Sequence, residues 1–168
     1  MLKCRKGVTL LEIILAIAIS GLVISLACAF LFTNQNAYFA VMSRLDAQSS
    51  ARAAMENVMT NIRRSNQREL YSVPDGNGLT LTIPDSEGQL LNYTYTVEFN
   101  AETNLHEFVL TVDDSRFVVA TGIDGIEGFA VEKTDNDLIT VRIRTHATRY
   151  DKQAVCEVSN YHRIKVDN

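Results

Sequence analysis

A single carboxylate lies inside the most apolar part of this chain. Glu12 is the only charged side chain between residues 10 and 32. An acidic group within a membrane-spanning helix is costly unless it is paired or neutralised, so Glu12 requires a partner. The alternative is that Glu12 lies near the cytoplasmic interface and reaches water from there.

The other side chains that could perform chemistry do not form a recognisable set. The histidines share no metal-ligand spacing, and the cysteines form no Cys-x-x-Cys motif. The sequence contains no nucleophile elbow, phosphate-binding loop or dinucleotide fingerprint. We therefore expect a protein that is not an enzyme and that uses no cofactor and no metal.

The apolar run is long enough to cross a bilayer, because a helix needs about 20 apolar residues to do so. Basic residues and no acidic residue precede it. Residues 1–7 should therefore stay in the cytoplasm, and the chain after Phe32 should lie outside.

Three kinds of N-terminal signal compete. A secretory signal would have a shorter apolar region and a cut after it, for which residues 27–29 are weak candidates. A lipoprotein signal ending at Cys28 is disfavoured by the Ser-Leu-Ala of residues 25–27. The third possibility is a cut before the apolar run.

Residues 6–12, Lys-Gly-Val-Thr-Leu-Leu-Glu, resemble the prepilin peptidase site of type IV pilins and type II secretion pseudopilins. In that family a short basic leader ends in Gly, and the mature chain carries Glu at its fifth position. The resemblance continues through the apolar residues 13–19. It implies that prepilin peptidase cuts between Gly7 and Val8 and that Val8 is N-methylated, although family members usually have Phe where this sequence has Val8.

The resemblance also supplies the missing partner of Glu12. In the family this glutamate pairs with the terminal amine of a neighbouring subunit. That amine exists only after cleavage, which explains why cleavage precedes assembly.

Helical periodicity continues beyond the apolar run. No proline interrupts the chain before Pro74, so one helix from about Thr9 to about Ser65 is predicted. Its transmembrane half would be residues 8–32, after the 1–7 leader. Its amphipathic half, residues 33–66, should pack on the following domain rather than form a free coiled coil. The apolar stripe comprises Tyr38, Met42, Leu45, Met55, Val58, Met59 and Ile62.

Residues 67–168 are predicted to form an extracytoplasmic antiparallel β domain. Apolar and polar residues alternate with a period of two in several segments, and two others are more densely apolar. About six to eight strands in meander or hairpin order fit this pattern. With the long helix, the fold class is α+β, the pilin fold that the resemblance implies. The strand segments are 79–83, 93–99, 108–112, 117–120 and 138–143.

Two further segments are similar to minor pilin subunits of the J and W type. Residues 48–55 are rich in Arg and Ala, and residues 61–64 end in a basic pair, although such a pair also complements a helix dipole. Residues 122–129 show the glycine-bent step into a strand found in those subunits. The resemblance implies a minor pilin or pseudopilin that initiates or caps a filament or fimbrium, in a pilus or in protein secretion.

The implied location is the cytoplasmic (inner) membrane, with a single pass, and afterwards an extracytoplasmic or cell-surface filament. The implied partners are the membrane, prepilin peptidase, and other major and minor subunits. A signal-anchored extracytoplasmic binding domain is an alternative.

Charge is unevenly distributed along the chain. Residues 69–137 are strongly acidic and residues 142–168 are basic, an arrangement that favours side-by-side assembly but also suits a solvated surface. A competence-type subunit could instead bind DNA through basic side chains. The formal net charge of −4 argues against this, so DNA is not an expected partner. The candidate contacts are Arg142, Arg144, Arg149 and Lys152.

Overall fold

The computed structural model describes residues 9–65, 70–72, 78–134, 138–149 and 152–163. The chain divides into two compact units, Met1–Phe39 and Ala40–Asn168. One helix, α1 (Leu10–Arg64), contributes to both units. The predicted long helix is therefore confirmed within about one residue at each end.

A single antiparallel sheet contains the eight strands found in the described residues. The α+β architecture predicted from the sequence is confirmed. The strands are β1 (Leu70–Ser72), β2 (Leu79–Pro84), β3 (Leu90–Asn100), β4 (Leu105–Val112), β5 (Ser115–Ile123), β6 (Phe129–Thr134), β7 (Leu138–Arg149) and β8 (Lys152–Arg163).

Strands β1 to β5 follow one another across the sheet as hairpins, and β7 then pairs with three partners. β8 pairs with β7 along its whole length, from Leu138 to Arg149. The opposite edge of β7 must therefore hold the other two partners. β6 pairs with residues 138–143 and β5 with Thr145.

Glycine allows the end of β5 to lie close to β7. Gly122 has a φ of 77°, in the left-handed region, and a Cβ there would lie 2.6 Å from the carbonyl oxygen of His146. Only glycine allows this close approach to β7. A short 3₁₀ helix, Ile126–Gly128, then leads into β6.

The core lies between the inner face of the sheet and the C-terminal part of α1. Tyr95 stacks on Phe108 with ring centroids 5.4 Å apart, and Phe108 contacts Phe129 at 4.8 Å. The alternating residues of β2 and β7 complete this apolar layer. The buried residues include Ala54, Met55, Val58, Met59 and Ile62 of the helix and Leu79, Leu81, Ile83, Ile139, Val141 and Ile143 of the sheet.

In the part of the helix nearest β7 and β8, the buried residues are not the ones that were predicted. Leu45, assigned to the buried stripe, is 50% exposed, whereas Ser43, Ala47 and Ala51 are buried. Small side chains allow the helix backbone to approach the strands closely enough for hydrogen bonds. Ser43 Oγ donates to the carbonyl oxygen of Lys152 at 2.7 Å. A large side chain on this face would prevent that contact.

Two more hydrogen-bonded contacts join the helix to the sheet. Thr145 Oγ1, fully buried on β7, donates to the carbonyl oxygen of Ala47 at 2.7 Å. Asn61 Nδ2 donates to the Tyr95 hydroxyl at 2.6 Å, and that hydroxyl donates to Asn57 Oδ1 at 2.6 Å. Burial raises the pKa of Tyr95 to about 12, against a smaller lowering by the Asn61 hydrogen bond.

The outer face of the sheet also holds a buried carboxylate, Glu107. It accepts hydrogen bonds from Asn100 at 2.7 Å and from Arg116 at 2.9 Å, and Arg116 also contacts Glu98. The hydrogen bonds from Asn100 and then Arg116 lower the pKa of Glu107. Because Arg116 is paired with Thr111, its side chain must run along β4 past Val109 to reach Glu107. Val109 is accordingly fully buried on this face.

The Tyr95 contact yields a stability prediction. Tyr95→Phe should lower the free energy of unfolding by about 1–3 kcal/mol, because it leaves the amides of the buried Asn61 and the half-buried Asn57 without their hydroxyl partner. Urea unfolding of the full chain in detergent micelles measures the loss. Tyr161→Phe is the matched control, since Tyr161 is 71% exposed and its replacement should change little.

The same pair of variants gives a pH dependence. The folded chain keeps the Tyr95 proton up to about pH 12, whereas an ordinary tyrosine loses it near pH 10.0. Unfolding therefore releases a proton between these values, and stability must fall as pH rises through this window. The difference in unfolding free energy between wild type and Tyr95→Phe should shrink there. If the difference in unfolding free energy between the two proteins stays constant across this pH range, the raised pKa of Tyr95 is contradicted.

Candidate processing and assembly site

The helix begins at a residue that caps it. Thr9 directly precedes α1, and its Oγ1 accepts a hydrogen bond from the backbone N–H of Glu12 at 3.3 Å. The Thr9 carbonyl oxygen also accepts from Glu12 and Ile13. This is N-cap geometry, in which a hydroxyl satisfies one of the free N–H groups of the first turn.

Glu12 occupies the third helical position and is exposed. A carboxylate in the first turn is stabilised by the positive end of the helix dipole. Gly7 and Val8, the predicted cleavage and methylation residues, lie outside the described residues. Only residues 8 and 9 separate the predicted bond from Leu10 in sequence.

The first unit of the chain presents an apolar surface. The side chains of residues 10–38 are exposed, and they include Leu15, Leu22 and Phe30. The most apolar 18-residue window of α1 has a mean hydropathy of 2.7, and none of that window is buried. By length and composition, α1 is able to cross a membrane.

Hydroxyl groups in this unit are satisfied by the helix itself. Ser25 Oγ donates to the Gly21 carbonyl oxygen at 2.8 Å, and Thr33 Oγ1 donates to the Ala29 carbonyl oxygen at 2.9 Å. Such bonds let Ser and Thr sit in an apolar environment without an external partner. The Glu12 carboxylate has no equivalent bond to another described residue that could neutralise its charge in lipid.

Residues 2–27 match the family model of the prokaryotic N-terminal methylation motif. The matched segment therefore carries the type IV pilin and pseudopilin signal, and it includes the predicted cleavage bond and Glu12. Neither the curated proteins nor the solved structures compared with the chain include a match. The signal and the apolar helix together fit membrane anchoring. The minor J and W subtype, in contrast, stays a prediction.

The described part of the chain brings only two of the predicted DNA contacts together. Arg142 and Arg144 project from the outer face of β7, where they meet Glu132 at 4.0 Å and Asp124 at 2.5 Å. Lys152 lies at the start of β8, and the Arg149 side chain is outside the described residues. Acidic partners reduce the positive field that phosphate binding needs. DNA binding remains an untested prediction that this geometry does not favour.

The described residues also contain no metal-binding arrangement, as no three His, Cys, Asp or Glu side chains gather there. A cavity in the second unit has a volume of about 770 Å³. Its lining is mostly apolar and includes Tyr93, Leu110, Val112 and Phe117. It collects no set of groups for acid–base or nucleophilic chemistry.

Sequence reasoning missed the role of Thr9. The signal was present, because Thr followed three residues later by Glu is the pattern of a capping box. Thr9 lies within residues 6–12, in which the resemblance to a cleavage site gives roles to Gly7, Val8 and Glu12 but none to Thr9.

The cap predicts a local effect. Thr9→Val should lower the stability of the first helical turn by about 1 kcal/mol. Hydrogen exchange of the Glu12 backbone amide should therefore become about fivefold faster. Hydrogen-exchange NMR of the full chain in micelles measures this rate. Thr9→Ser keeps the hydroxyl and should exchange at the wild-type rate. Equal rates in the Val and Ser variants would show that the hydroxyl does not cap the helix.

Proposed function

We propose that this chain is a minor pilin or pseudopilin, a structural subunit rather than an enzyme. The observation that carries the proposal is the methylation motif at residues 2–27, which extends into an exposed apolar helix that begins at Leu10. Prepilin peptidase removes residues 1–7, the apolar segment holds the subunit in the membrane, and other subunits then pack against that segment in a filament.

The start of the helix explains why Glu12 is needed after processing. Cleavage after Gly7 creates a positive amine on Val8, next to the positive end of the helix dipole. These like charges repel each other, and both would be poorly solvated at the membrane. The Glu12 carboxylate neutralises an amine of this kind, and we assign it to the amine of the neighbouring subunit. The Thr9 cap holds the turn that carries this carboxylate.

The position in the filament is a finer part of the proposal. The similarity of residues 48–55 and 61–64 to J and W subunits supports a role in initiation or at the tip. The extracytoplasmic part would be the antiparallel sheet with the buried half of α1. The subunit would be single-pass in the cytoplasmic membrane before its assembly into a pilus or a secretion pseudopilus.

Processing is the first test. Intact mass and N-terminal sequencing of the protein from its native membranes should show a chain beginning at Val8, with or without an added methyl group. Gly7→Arg should leave the leader attached and abolish filament incorporation, because a large side chain replaces the glycine that the peptidase requires. Cys4→Ser alters the leader away from the bond and should be processed normally.

A mature chain beginning near Cys28, or a Gly7→Arg protein that is still cut after residue 7, would overturn the proposal. The first result would indicate an exported domain with an ordinary signal. The second result would indicate that a different peptidase cuts the chain after residue 7.

Glu12 is tested separately from cleavage. Glu12→Gln keeps the size of the side chain but removes its charge, so processing should continue while incorporation into filaments falls by about tenfold or more. The loss follows because the neighbouring amine is left without a counter-charge in a poorly solvating environment. Quantitative immunoblotting of sheared filaments and membranes measures it. Glu102→Gln, in an exposed turn, is the charge-matched control; equal incorporation of both variants would refute this role.

A further inference from the structure

The outer edge of β8 is an unusually complete strand edge. β8 has 12 residues, about twice the usual strand length. Its ladder with β7 continues from Lys152 to Arg163 without a shift of register, and no other described strand pairs with its second edge. It contains neither proline nor glycine. A row of backbone N–H and C=O groups is therefore available to another chain.

Folded proteins usually protect such an edge. They shorten it, bulge it, cover it, or place proline or inward-pointing charges along it. Among the described residues, β8 is neither short nor bulged and no strand covers this edge, while charged side chains, another such device, occur in it only at Lys152, Glu157 and Arg163. Its exposed side chains include two large apolar ones, Val155 at 62% and Tyr161 at 71% exposure. An edge of this length and composition is suited to strand addition, in which backbone hydrogen bonds provide affinity.

A groove beside this edge provides side-chain selectivity. It has a volume of about 370 Å³ and lies between α1 and the helix-facing side of β8, where Val158 and Asn160 line it. Met55 and Met59 are buried in its floor, at 5% and 3% exposure. Alternate side chains of an added strand would point into this groove, and its floor favours an apolar residue.

The rim of the groove adds a charge preference. Arg52, Glu56 and Arg63 are exposed on α1 and line it. Glu56 follows Arg52 by four residues and partly compensates its charge. Arg63 has Met59 and Thr60 at the corresponding positions, and it forms no ion pair with any residue described here. An acidic side chain on the added strand would complement Arg63.

We propose that the outer edge of β8 accepts an extended segment of another filament subunit, with apolar and acidic side chains facing the α1–β8 groove. This inference rests on the proposed function for its partner, since a filament subunit is the chain that would reach this edge. The occupant is a strand because only an extended backbone matches the edge. It is acidic and apolar because the groove presents Arg63 above two methionines.

The test uses a peptide probe and the purified full chain in detergent micelles. The peptide Thr-Val-Thr-Glu-Thr-Val-Thr, blocked at both ends, presents Val and Glu on one face and Thr on the other. Binding should slow deuterium uptake by the amides of residues 152–163 at least threefold relative to the chain alone. Unchanged uptake at saturating peptide would overturn the proposal.

N-methylated peptides distinguish binding through backbone hydrogen bonds from nonspecific apolar binding. Two further peptides carry N-methyl groups on alternate residues, in one phase or the other. In an added strand, successive N–H groups point to opposite edges, so one phase should abolish protection and the other should retain it. If both methylated peptides protect β8 as well as the parent does, strand addition is excluded.

A neighbouring pair of arginines tests the groove. Arg63→Glu should weaken peptide binding by about tenfold or more, whereas Arg64→Glu should change it less than twofold. Both variants change the charge equally, but Arg64 does not line the groove, and it contributes to the field around Tyr95 instead. Equal weakening by the two variants would show that only net charge matters and would overturn the assigned groove contact.

Two outcomes separate this proposal from its rivals. If protection of β8 rises with protein concentration in the absence of peptide, a second copy of this chain occupies the edge. That result would overturn the proposal that the occupant is an acidic segment of a different subunit. The unprocessed Gly7→Arg chain should bind the peptide like wild type. Failure of strand addition therefore leaves the processing result intact, and failure of processing leaves the peptide result intact.

Discussion

The position of the helix on the sheet is determined by hydrogen bonds that cross an otherwise apolar interface. Ser43 and Thr145 each join a helix to a strand through a backbone carbonyl group, and Asn61 meets the Tyr95 hydroxyl farther along. Apolar contacts tolerate a small sliding of the helix, because they have little directionality. Hydrogen bonds do not tolerate such sliding, because a shift by one residue would leave several buried polar groups unpaired. Each unpaired group would lower the stability by about 1–3 kcal/mol. Burial drives the association, and these contacts select one register.

This constraint explains why the two parts of the buried helix face have different compositions. Near β7 and β8 the face consists of Ser43, Ala47 and Ala51, which permit hydrogen bonds between side chains and backbone. Toward its C-terminal end the helix carries Met55, Val58, Met59 and Ile62, which are buried in the apolar core with residues of β2 to β7. Replacing the small residues with leucine would add apolar area but separate the backbones. The most apolar sequence for this face would therefore not be the most stable one.

The regular features of the fold could be predicted from the sequence because each depends on local periodicity. Alternation at Leu79, Leu81 and Ile83 identified a half-buried strand, and the absence of proline before Pro74 indicated one helix. The buried positions near Ser43 could not be found this way, because alanine and serine occur equally on exposed helix faces. Their burial depends on strands more than 90 residues away. The methylation motif at residues 2–27 was recognisable because its residues are contiguous, whereas the free edge of β8 becomes visible only when the pairing of all the described strands is known.

The two candidate assembly surfaces differ in what they can specify. The exposed apolar residues of the first unit gain little selectivity from lipid-like packing, since one apolar helix resembles another, and Glu12 supplies a single polar requirement. Such a surface suits contacts shared by every subunit with the same signal. The β8 edge and the groove beside it combine directional backbone bonds with an apolar floor and Arg63, so they can distinguish one partner sequence from another. A subunit with a defined place in a mixed filament needs both kinds of contact, because general affinity alone cannot determine its neighbour.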